Sequence, residues 1–69
     1  MQTDPAVTIT VTITVTLSDT QAAAFAQFLK RVGLDDFAAL AVDRQEAYAM
    51  LSAAAAIRQE LAHAGYAPR

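Results

Sequence analysis

Residues Val7–Leu17 read VTITVTITVTL, eleven positions that alternate without a break between an aliphatic side chain and threonine. Successive side chains of an extended chain point to opposite sides. Val7, Ile9, Val11, Ile13, Val15 and Leu17 therefore share one side, and Thr8, Thr10, Thr12, Thr14 and Thr16 the other. This period of two predicts one long strand over about residues 6–17, oily on one face and hydroxylated on the other. Everything after Leu17 reads as helix, so a partner strand is expected from a second copy of the chain or from another protein. The expected fold class is α+β: a single domain over residues 1–69, built as a β-α-α chain with a short helix between the two main helices. Strand pairing is expected to assemble it into a homo-oligomer.

Outward from that segment, Ser18-Asp19-Thr20-Gln21 has the form of a capping box, with Asp19 favourable near the positive end of a helix. A first helix is expected over about 19–32, with Ala22, Phe25, Phe28, Leu29 and Val32 forming its apolar stripe. Gly33 followed by Leu34 has the pattern of a Schellman ending. Asp35 or Asp36 can cap a short helix over about 36–41 that contributes Phe37 and Leu40. Asp43 and Glu46 open a second capping box, and a long helix over about 44–64 follows, closed by Gly65.

On that last helix Ala47, Met50, Ala54, Ile57, Leu61 and Ala64 make a narrow heptad-like seam. The helix spans about 32 Å and an eleven-residue strand about 36 Å, so one can cover the other along its length. Met50, Ile57 and Leu61 are expected to support Val7, Ile9, Val11, Ile13 and Val15 in this way, and these eight residues form the expected oligomer interface.

Energetics point the same way. Fixing eleven residues in an extended conformation costs roughly 11–22 kcal/mol of backbone entropy, while burying six aliphatic side chains returns about 9–18 kcal/mol. A lone strand falls just short, and a ladder shared with a second copy makes up the difference. The simplest closed form is a two-fold homodimer, with a tetramer next. A chain of 69 residues is also near the lower limit for folding without help, and 17 of its residues are alanine, which buries little area each.

Composition excludes several classes of function. There is no cysteine, which rules out disulfides and thiolate metal sites. The net charge is −2, and the five basic residues Lys30, Arg31, Arg44, Arg58 and Arg69 are scattered, leaving no polybasic footprint for nucleic acid or anionic lipid. The uncharged stretch from Pro5 to Ser18 has threonine at five of its fourteen positions and alternates too strictly for a membrane helix or a signal peptide. A cytoplasmic protein is expected. The single histidine, His63, falls in the last turn of the long helix, where a cation suits the helix dipole. Adjacent Asp35 and Asp36 point apart, as capping residues do rather than a general acid and base. With no phosphate loop and no nucleophile motif, no enzyme, cofactor or metal is expected. A threonine face is a good solvated sheet face, and it can also serve as a binding surface. The candidate partner surface is accordingly Thr8, Thr10, Thr12 and Thr14 together with the acidic rim of Asp35 and Asp36.

Two resemblances add to this reading. The order of elements, the outward threonines, the Ser18 cap and the Asp43-Arg44-Gln45-Glu46-Ala47 helix start resemble the ribbon-helix-helix repressors. That implies a DNA-binding regulator, although this chain has a longer strand, a longer inter-helix link and no Arg, Lys, Asn or Gln on the would-be ribbon. The segments AQFLKRVG (26–33), AVDRQEAY (41–48) and AGYAPR (64–69), after a T-x-T-x-T-L-S run, are similar to small uncharacterised proteins of proteobacterial phages, prophages and plasmids. This second resemblance covers nearly the whole chain. It implies a mobile-element accessory protein that binds a host protein, with inhibition of host defence, as by anti-CRISPR proteins, its sharpest form.

Overall fold

A computed structural model describes residues 9–68 and contains three helices: α1, Asp19–Arg31; α2, Leu34–Leu40; and α3, Arg44–His63. Among the described residues there is no strand and no sheet. The expected α+β class, with its N-terminal strand and β-ribbon, is corrected accordingly; the beginning of that strand, with Val7 and Thr8, lies outside the described residues. A strand is held by main-chain hydrogen bonds to a neighbouring strand, and a chain whose remainder is helical supplies none. The alternation records which side each residue takes, not the presence of a ladder.

Each helix starts and stops for a local reason. Ser18 caps α1 with a complete reciprocal box: its Oγ accepts from Gln21 N–H at 3.1 Å, and Gln21 Oε1 accepts from Ser18 N–H at 2.9 Å. Two otherwise unpaired donors are satisfied at once. Ser18→Ala should therefore lower stability by about 1 kcal/mol in urea denaturation, and an unchanged midpoint would show that the box contributes nothing. At its other end α1 stops at extended Val32 (φ −74°, ψ 145°), so the Schellman ending expected at Gly33 is not formed. Gly33 instead begins α2, which starts at Leu34 because the Asp36 carboxylate, three residues on, accepts from Gly33 N–H at 2.8 Å.

At α3, Asp43 Oδ1 accepts from Glu46 N–H at 2.8 Å, while Glu46 Oε1 reaches back past the cap to Val42 N–H at 2.9 Å. The Schellman geometry occurs at the end of α3: Tyr66 N–H donates to Leu61 O at 2.8 Å and Gly65 N–H to Ala62 O at 3.0 Å. Gly65 takes φ +103°, a conformation that favours glycine.

Packing is sparse. α3 touches both α1 and α2. The buried residues are Ala22, Ala26 and Leu29 on one stripe of α1, and Ala47 on α3. Met50, Leu51, Ala54 and Leu61 are half-buried. Three alanines and one leucine make a thin core whose main virtue is that small side chains let helices approach closely.

A candidate interaction surface

Residues 9–17 form an arm in front of α1. Its apolar positions grow steadily more exposed with distance from the helix: Leu17 42%, Val15 65%, Ile13 71%, Val11 76% and Ile9 83%. The arm thus leaves the helical body rather than lying on it. The radius of gyration is 14.6 Å, against about 11 Å for a compact chain of this length. The seam of α3 expected to cover the arm does not do so: Met50 and Leu61 are half-buried within the helical body, and Ile57 is 41% exposed.

The expected partner surface is likewise divided. Thr10, Thr12 and Thr14 are exposed on the arm, before the start of α1, whereas Asp35 and Asp36 follow its end, about 20 Å away along a 13-residue helix. Asp36 is engaged as the cap of Gly33 N–H. Asp35 borders a shallow hollow with Val42, Asp43 and Arg44. These residues do not converge on a common site.

Not foreseen from the sequence is a groove of about 390 Å³ lined by Leu29 of α1 and its C-cap Val32, Phe37 of α2, and Leu51, Ala55 and Arg58 of α3. Phe25 and Phe28, on the same stripe of α1 as Val32, stack with ring centroids 5.5 Å apart yet remain 40% and 49% exposed. Position on the helices could have revealed this groove: Leu29 and Val32 are three apart, and Leu51, Ala54, Ala55, Arg58 and Ala62 recur at i, i+3, i+4, i+7 and i+11. Leu40, the last residue of α2, and Val42, between α2 and α3, are also exposed, at 82% and 84%.

Polar chemistry is slight by comparison. His63 Nδ1 lies 3.6 Å from Glu60, both exposed. Among the described residues no group of three His, Cys, Asp or Glu side chains could hold a metal ion, and no helix is long and apolar enough to cross a membrane. The tail is fastened by one side-chain contact, in which the Tyr66 hydroxyl donates to the Asp19 carboxylate at the start of α1. That hydrogen bond to Asp19, helped by partial desolvation and by the carboxylate charge, raises the Tyr66 pKa above its ordinary 10.0. A raised folded-state value means that the clasp stabilises fully below pH 10.0 and is lost as pH rises through the folded pKa. In a Tyr48→Phe background, absorbance at 295 nm should place the remaining tyrosine's midpoint above 10.0, and Asp19→Asn should bring it down; a midpoint insensitive to Asp19 would refute the clasp.

A family model matches the chain over residues 1–69. The chain belongs to a family of unknown function, DUF7706. No curated protein and no solved structure gives a significant match. What this DUF7706 member does must therefore be reasoned from its surface.

Proposed function

We propose that this protein is a non-enzymatic, homo-oligomeric protein-interaction module, a cytoplasmic accessory protein of a phage or other mobile element that binds a host protein. Inhibition of a host defence complex, in the manner of an anti-CRISPR protein, is the most specific form of this reading. The observation that supports it is the balance of apolar surface. Among the described residues four are buried, none larger than leucine, while eleven large hydrophobic residues are exposed, from Ile9 on the arm to Ile57 on α3. Exposed apolar surface of this extent marks a site for another protein chain. The wording of the 26–33, 41–48 and 64–69 segments supports the mobile-element origin. A DNA-binding reading has no ribbon among the described residues and no basic cluster to supply the phosphate contacts on which affinity rests.

The test is retrieval of a partner from a proteobacterial lysate with the full chain and with its Val11→Asp variant. Val11 is 76% exposed, so the substitution spares the core. A host protein recovered with the parent chain and lost with the variant is the expected result, with no shift of labelled duplex DNA at low salt. Identical recovery by both chains, or a salt-sensitive DNA shift, would remove the reading.

A further inference from the structure

We propose that the arm, residues 9–17, seats in the α1–α3 groove of a second copy of this chain while that copy's arm seats in the first, closing a two-fold dimer by reciprocal exchange. This rests on the interaction-module reading above and names the surfaces and the occupant. Four observations carry it.

The first is direction. Exposure climbs from 42% at Leu17 to 83% at Ile9, so the arm points away from its own helices. To reach its own groove it would have to reverse just before α1, and a reversal takes a turn of about four residues, best built with glycine or proline. None stands between Ile9 and Ser18, and Ser18 is extended (ψ 164°) with both its N–H and its hydroxyl engaged by Gln21. The capping box thus fixes the exit direction.

Length is the second. Nine extended residues span about 30 Å, the length of the 20-residue α3, whose stretch from Leu51 to Ala62 walls the groove over about 17 Å, so the centre of the arm seats in the groove and its ends lie along the same helix. The third is chemistry. The arm carries no charge, and the groove is apolar apart from Arg58 and Gln59. Seated with its aliphatic side inward, the arm leaves Thr10, Thr12, Thr14 and Thr16 in water, along with the edges of its backbone.

Area is the fourth, and it requires the exchange to be mutual. At about 60–120 Å² per fully buried aliphatic side chain, the five exposed residues of one arm offer about 300 Å². Matched by the same area of groove, one docked arm buries about 600 Å² in total, whereas two bury about 1,200 Å², the lower bound for a stable interface.

The chain has no cysteine, so introduced thiols report proximity cleanly. Ile13 is the middle of the arm and Ala55 lies mid-way along α3, so they meet whichever way the arm runs. Chains carrying Ile13→Cys and differently tagged chains carrying Ala55→Cys, mixed at micromolar concentration and oxidised, should form a covalent heterodimer in preference to either homodimer. In sedimentation equilibrium the unmodified chain should be dimeric, and Ile13→Asp should weaken the dimer about tenfold or more with helicity unchanged. Arm-to-arm linkage of Ile13→Cys alone, closure within one monomer of the doubly substituted chain, or a dimer indifferent to Ile13→Asp would each overturn the exchange. If the chain sediments as a monomer yet Val11→Asp still abolishes capture of a host protein, the exchange is wrong and the interaction module stands.

Discussion

Leu29→Ala is expected to lower the stability of this protein by about 2–3 kcal/mol, the lower half of the range for such truncations. Leu29 is 6% exposed and, among the described residues, is the one buried residue larger than alanine, so its loss removes most of the aliphatic volume in the core. It also borders the open groove, where water and neighbouring side chains can partly fill the vacated space, which keeps the loss from the upper end. A chain of this size has about 3–5 kcal/mol to lose. Urea denaturation followed by far-UV circular dichroism should therefore find the variant's midpoint moved to low denaturant, with about 0–3 kcal/mol of stability left. A loss under about 0.5 kcal/mol, the level of a surface substitution, would mean that the stability comes from elsewhere.

Enlarging the smallest core residues should have a comparable effect by the opposite route. Ala26 and Ala47 are both fully buried, on α1 and α3, the two long helices in contact. Leucine at either position adds three carbons to a side chain that has no exposed surface, so the packed elements must separate or the new side chain must leave its preferred rotamer, at about 1–3 kcal/mol. Ala49→Leu, on an exposed position of the same helix, should stay within about 0.5 kcal/mol of the parent. The contrast between Ala47→Leu and Ala49→Leu in thermal melts isolates close helix approach from helix propensity. Equal melting temperatures would show that close packing at Ala47 is not what holds α3 to the rest of the helical body.

Both predictions describe a protein whose own core is only just sufficient, and that bears on function. A chain that buries three alanines and one leucine while exposing the aliphatic side of an arm and two stacked phenylalanines has more apolar surface to share than to keep. Mutual burial by another chain lowers the free energy of the folded state through mass action. Helicity that increases with concentration would be its signature.

The local signals of this sequence were legible because they act through near neighbours. Ser18 with Gln21, and Asp43 with Glu46, are three residues apart, so each capping contact depends only on backbone already turning into a helix. Gly65 ends α3 for the same kind of reason. Gly33 was misread as a Schellman glycine because glycine fits several roles. Which of them it took depended on Asp36 drawing the next helix forward to Leu34. The interaction surface was less legible. The pairing of Asp35 and Asp36 with the threonines could not survive the distance set by α1, and the groove appears only once three helices are in place.

By itself the sequence determined the three helices, most of their ends, and the alternation that puts Ile9, Val11, Ile13, Val15 and Leu17 on one side of the arm. Only the tertiary structure decided that α3 spends its seam within the helical body, that Ala26 and Ala47 rather than the phenylalanines are sealed from water, and that the arm stands uncovered. Caps and periodicity are settled within a few residues along the chain. Which apolar face meets which depends on contacts between residues far apart in sequence, such as those of α1 and α2 with α3.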